Sequence, residues 1–268
     1  MKLEIYYFNV RFTNGKLDGI TSRLEEPYDL LSYTFSMRSF NPTSLLPHEE
    51  KWHRKNIQTL KALLRGEEVD EDDRDQMVRP DAGTLLFTKE IVSYEMPESV
   101  GYQYCELPTE EYLALYEQFV TLIDLLRNTC LNRNTANLKN YTFHVRFMDD
   151  KLDGITSSFE EPYDLLSYTF SIWSFNPNSL FPHEEKWHRK NIQTLKALLR
   201  GEETDEDDRD QMVRPDAGTL LFTKEIVSYE MPEEVGYQYC ELPTEEYLAL
   251  YEQLVTLMDT LKKTYLES

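Results

Sequence analysis

The chain has 268 residues, 40% of them apolar and 13% aromatic, with nine glycines and twelve prolines, a balance that excludes a disordered or collagen-like polymer and supports globular folding. Its net charge of −21 disfavours direct binding to nucleic acid phosphates or anionic membrane surfaces and favours a basic partner. Three cysteines without paired spacing argue against a disulfide framework. The absence of a signal-like or spanning apolar stretch reads as a soluble, cytoplasmic protein.

The opening stretch Leu3–Phe12 is rich in Tyr, Phe, Val and Ile and ends at Asn14-Gly15, a two-residue hairpin signal, so a strand, a turn and a second strand are expected. Residues 30–40, LLSYTFSMRSF, alternate Leu31, Tyr33, Phe35 and Met37 with polar neighbours, which predicts a third strand; a helix starting at Pro27 competes with it. After Asn41-Pro42, Pro47 suits the first turn of a helix that stops at Gly66, with Trp52, Ile57, Leu60, Leu63 and Leu64 as its apolar stripe. An acidic run, EEVDEDDRD, leads into the turn Pro80-Asp81-Ala82-Gly83. Two more strand candidates follow, TLLFTKEIVSYE and GYQYCEL. Thr109 is placed to cap a final helix from Glu110 to about Leu126, with Leu113, Tyr116, Phe119, Val120 and Ile123 on one side.

Everything then repeats. Residues 1–133 align without a gap on 136–268 at an offset of 135, and 25 of the 133 positions differ, leaving 108 identical. The reading is an α+β fold, a tandem duplication of a βββ-α-ββ-α domain of roughly 130 residues with a largely antiparallel sheet. The first repeat spans 1–127, the Asn-rich piece 128–137 is the linker, and the second repeat spans 138–268. The hairpin assignment has internal support: Tyr6, Phe8, Val10 and Phe12 recur, whereas Ile5, Tyr7 and Asn9 become Asn140, Thr142 and His144.

Fifteen of the substitutions fall in the first 47 positions and eight in the last 15, so the middle, acidic run included, is almost unchanged. Among the changes, Tyr7 to Thr142, Arg38 to Trp173 and Leu24 to Phe159 exchange residue types that matter at interfaces. Drift with gene conversion and adapted interfaces remain equal readings of that pattern. Arg38 is expected opposite the core stripe, which leaves Trp173 exposed or packed against the other copy.

The chemistry-bearing motifs are thin. His48 and His53, with His183 and His188, sit in HEEKWH five apart, about 140° around a helix, where a HExxH zinc motif needs four, so they are read as helix-surface residues. DEDDRD resembles the opening of a calcium loop but has Arg74 and Asp75 at its fifth and sixth positions and Asp81 where a bidentate Glu belongs. There is no nucleophile elbow, phosphate loop or dinucleotide fingerprint, and Cys105 reads as a core residue. No catalytic residue, cofactor or metal is expected.

What remains is binding. The candidate partner-binding residues are Glu67, Glu68, Asp70, Glu71, Asp72, Asp73 and Asp75, their counterparts Glu202, Glu203, Asp205, Glu206, Asp207, Asp208 and Asp210, and the divergent Tyr7, Arg38 and Trp173. In general character, though without a residue match, a small acidic α+β domain prone to duplication looks like the immunity proteins of bacterial toxin systems. That analogy implies occlusion of a basic toxin or nuclease-like protein. The alternatives are a nucleic-acid-mimicking inhibitor of a DNA- or RNA-binding protein and a non-catalytic adaptor. The repeats are expected to be able to pack as a pseudo-dimer.

Overall fold

A computed structural model of the chain describes residues 3–38, 40, 49–79, 83–130, 138, 140–176, 184–214, 218–231 and 238–267. The protein is α+β, and every strand pairing whose register is described is antiparallel. Two units are distinguished: residues 1–9 with 18–127, and residues 10–17 with 128–268.

Strand β2 (Lys16–Leu24) lies between β1 (Ile5–Thr13) and the short β3 (Ser36–Met37); residues 5–9 of β1, residues 18–24 of β2 and all of β3 belong to unit 1. Asn14 and Gly15 both have positive φ, 49° and 69°, the backbone that a two-residue hairpin turn demands. Alternate β1 residues Tyr6 and Phe8 are fully buried, as the period-two pattern predicts.

The third strand is largely absent. Asp29–Thr34 forms a 3-10 helix, with Leu31 N–H donating to Tyr28 O at 3.0 Å and Phe35 N–H to Ser32 O at 3.3 Å. The residues it buries are Leu30, Leu31 and Thr34, while Tyr33 stands 55% exposed, so the spacing that counts is helical and the apparent alternation through Tyr33 is accidental. Strand pairing is confined to Ile20 with Met37 and Thr21 with Ser36.

Helix α1 (Glu49–Arg65) ends at Gly66, whose φ of 76° lets its N–H reach Leu63 O at 2.9 Å and Glu67 N–H reach Ala62 O at 3.0 Å. A four-residue helix α2 (Glu71–Arg74) follows, and the end of the acidic run starts an unpredicted strand, β4 (Asp75–Arg79). The stretch expected as one strand, TLLFTKEIVSYE, is a hairpin of β5 (Gly83–Phe87) and β6 (Ile91–Met96). With β7 (Gln103–Pro108) they form a sheet in the order β4-β5-β6-β7. Gly83, at φ 91°, starts β5 where an added Cβ would collide with the Glu95 backbone, so only glycine fits there.

Helix α3 (Thr109–Cys130) runs past the predicted end and takes in the first residues of the expected linker. Thr109 is the first residue of the helix rather than the residue before it, and its hydroxyl donates to Thr88 O at 2.9 Å, which ties the helix start to the sheet. Phe87, Phe35, Tyr112, Tyr116 and Phe119 form a continuous aromatic core with ring centroids 4.9–6.0 Å apart.

Unit 2 contains β8 (Asn140–Met148), β9 (Lys151–Phe159), a 3-10 helix at Asp164–Tyr168, α4 (Glu184–Arg200), α5 (Glu206–Arg209), strands β10 (Asp210–Arg214), β11 (Gly218–Phe222), β12 (Ile226–Met231) and β13 (Gln238–Pro243), and α6 (Thr244–Tyr265). Its sheet order is β10-β11-β12-β13. The hairpin-tip residue Phe12 belongs to this unit and stacks on Tyr141 at 5.1 Å. Among the described residues no helix is long and apolar enough to cross a membrane.

Candidate functional site

The acidic run of unit 1 hangs between two fixed points. Its start is set by the Gly66 turn at the end of α1. Its end is set by Gln76, a buried β4 residue whose Nε2 donates to Asp73 O at 2.8 Å and to Asn56 Oδ1 at 3.0 Å.

From Asn56 the hydrogen bonds continue inward. Asn56 Nδ2 donates to the Tyr116 hydroxyl at 3.1 Å, that hydroxyl lies 3.0 Å from His53 Nδ1, and His53 Nε2 lies 2.9 Å from Ser36 O. A carbonyl only accepts, so Nε2 carries the proton and Nδ1 accepts from Tyr116. From Asn56 to Ser36 the bonds are satisfied with a neutral imidazole. Burial accordingly pushes the His53 pKa down to about 4, against the opposing pull of Ser36 O and Glu50.

This corrects the surface reading of His53, which is 1% exposed; His188 is equally buried and bonds Ser171 O at 2.8 Å. The buried face of α1 is therefore His53, Asn56, Thr59, Leu60 and Leu63, while Trp52, Ile57 and Leu64 of the expected stripe are half-buried. His48 and His183 lie outside the described residues.

Along the run, Glu67 pairs with Arg65 at 2.5 Å and Asp73 pairs with Lys55. Glu68, Asp70, Glu71, Asp72 and Asp75 are exposed and make no ion pair among the described residues. In unit 2, Glu202 pairs with Arg200 at 2.5 Å and Asp208 with Lys190, and Glu203, Asp205, Glu206, Asp207 and Asp210 are left facing solvent. Each unit thus presents five carboxylates without a direct ion pair among the described residues, although the Lys190 pKa is raised by Asp208 together with Asp205 and Asp207. Gln211 repeats half of the anchor, donating to Asp208 O at 2.6 Å, while Asn191 Oδ1 takes no hydrogen bond among the described residues.

The divergent residues go elsewhere. Tyr7 is half-buried and Arg38 is exposed, and both line a cleft of about 810 Å³ in unit 1, away from the sequence neighbourhood of the acidic run. Arg38 does lie outside the core, with its neighbour Met37 buried. Trp173 is half-buried rather than exposed. Its backbone N–H donates to Glu184 Oε2 at 2.7 Å, and its carbonyl accepts from Arg146 Nη2 at 2.5 Å. Leu24 and Phe159 are core residues of their units, so that exchange is a repacking in which Phe159 lies 5.5 Å from Phe170.

Cys105 and Cys240 are buried, and burial raises both thiols to about 11, which leaves them protonated at neutral pH. Among the described residues no group of three or more His, Cys, Asp or Glu side chains is placed to hold a metal ion. Comparison of the chain with protein-family models, curated proteins and solved structures finds no match.

Proposed function

We propose that the chain is a tandem duplication of one acidic binding module and that it acts as a cytoplasmic, immunity-type inhibitor which occludes a basic protein partner. The observation that supports this reading is the pair of carboxylate arrays: five unpaired acids per unit on a short, anchored segment, against two spent on local ion pairs. Desolvating unpaired acids costs less when a cationic surface replaces the water, and the long-range field accelerates encounter.

The test is affinity capture from the source cell, identification of the retained protein and kinetics on that pair. Replacing Asp70, Glu71, Asp72 and Asp75 and their second-copy counterparts by the amides is expected to slow association about tenfold or more at low salt, with the melting temperature little changed. An unchanged association rate overturns the reading. If the captured protein is a nuclease, exclusion of DNA by the inhibitor would assign it to nucleic-acid mimicry instead.

A further inference from the structure

The cleft of unit 1 carries both signs of charge, in an order set by the strands. Pairing of Thr21 with Ser36 and Ile20 with Met37, continued by one residue, sets Arg38 beside Gly19. Arg23 follows four residues along β2, about 13 Å away at roughly 3.3 Å per strand residue. Strand alternation puts Arg23, Thr21, Ser36 and Arg38 on one face, and Asn9 Nδ2 reaching Thr21 Oγ1 at 3.5 Å places β1 beside them. Just past the end of β2 the lining turns acidic, with Glu25, Glu26 and Asp29, and Tyr7 and Tyr33 supply aromatic surface.

The acidic wall is fixed to the strand. Ser22 Oγ donates to Ser32 O at 3.1 Å and Leu24 N–H donates to Ser32 Oγ at 2.9 Å, so the 3-10 segment cannot drift from β2 without losing both bonds.

A wholly basic ligand meets the two arginines, and a wholly acidic one meets the three carboxylates. We propose that this cleft binds an extended peptide segment of a partner protein whose charges run acidic, three spacers, acidic, one spacer, basic, so that its acids face Arg38 and Arg23 and its base faces the Glu25, Glu26 and Asp29 wall. An extended chain rises about 3.3–3.6 Å per residue, which matches the four-residue interval between the arginines. Guanidinium groups hold carboxylates through two parallel hydrogen bonds, and the cleft volume suits a segment rather than a single amino acid. The site belongs to unit 1: the second copy keeps Glu160, Glu161 and Asp164 but has Thr142, Ser158 and Trp173 where the first has Tyr7, Arg23 and Arg38.

The experiment uses the full chain and fluorescein-labelled probes of the sequence Asp-Thr-Ser-Thr-Asp-Thr-Lys and its reverse, read by anisotropy at low salt. One direction is expected to bind saturably, with forms in which all three charges are Lys, or all Asp, weaker by about fivefold or more. Arg23→Ser with Arg38→Gln should abolish the preference for the mixed probe, and Glu25→Gln with Glu26→Gln, which leaves Asp29 in the wall, should reduce discrimination against the all-Asp form. Both pairs alter exposed residues, and unchanged melting curves would show that the fold is intact. The amide variants of the acidic runs should bind the probe as the parent does, which separates this site from the inhibitor reading. No saturable binding in either direction, equal binding of the all-Lys form, or an unchanged affinity in the arginine variant overturns the proposal.

Discussion

His53 and His188 show how one buried residue sets the pH response of a unit. Their pKa values are depressed by burial to about 4, whereas an exposed histidine titrates near 6.5. The unfolded chain therefore takes up a proton first as pH falls. Stability is complete above about 6.5 and drains away down to about 4, by on the order of 3 kcal/mol for each histidine. Glu50 and Glu185 contribute only at the acid edge of that window: burial works to raise them, but Arg127 and Arg54, and Lys262 and Arg189, outweigh it and hold both below the usual carboxylate range, so their stabilisation begins to be lost only as pH falls through the ordinary glutamate range near 4.5 and continues below it. Urea unfolding followed by circular dichroism at pH 7 and pH 4.5 should show the loss, and the double variant His53→Gln with His188→Gln should show a much flatter dependence. A double variant that retained the full slope would mean that other groups carry it.

At the level of elements, α1 and α3 are matched along their lengths as an antiparallel pair, with Arg54 on Asp124, Lys61 on Glu117 at 2.6 Å and Arg127 on Glu50. Exposed pairs of this kind contribute little each. The larger share of specificity lies in the buried hydroxyl of Tyr116, which serves His53 and Asn56 together. Removing it with Tyr116→Phe leaves a buried acceptor and a buried donor without partners and is expected to cost about 1–3 kcal/mol, measured by denaturant unfolding. A neutral result would show that the network is dispensable.

The same elements show what the sequence could reveal. The β1–β2 hairpin was legible because Asn14-Gly15 and the Tyr6-Phe8-Val10-Phe12 alternation are local signals. The polar buried face of α1 was not, since His53 and Asn56 satisfy their bonds through α3 and β3, remote in the chain. The segment 29–34 misled because Tyr33, although aromatic, stays exposed. The acidic runs were visible as composition, whereas the cleft was not, because its lining joins β1, β2, the 3-10 segment and Gln103 of β7.

For the whole molecule the governing quantity is net charge. A chain at −21 with ten exposed, unpaired carboxylates concentrated in two short runs is held together against its own repulsion. Salt screens that repulsion and also weakens the favourable surface pairs, so the sign of the response reports which dominates. With 49 acidic against 28 basic side chains, repulsion should win. The melting temperature is expected to rise by a few degrees between about 20 mM and 500 mM sodium chloride, a range over which the Debye length falls from roughly 20 Å to about 4 Å. The variant with amides in both runs should start higher at low salt and respond less, because its repulsion has been removed chemically. Differential scanning calorimetry on the two proteins decides it. A melting temperature that falls with salt in the parent chain would place the stabilising weight on the surface ion pairs and show that self-repulsion does not dominate.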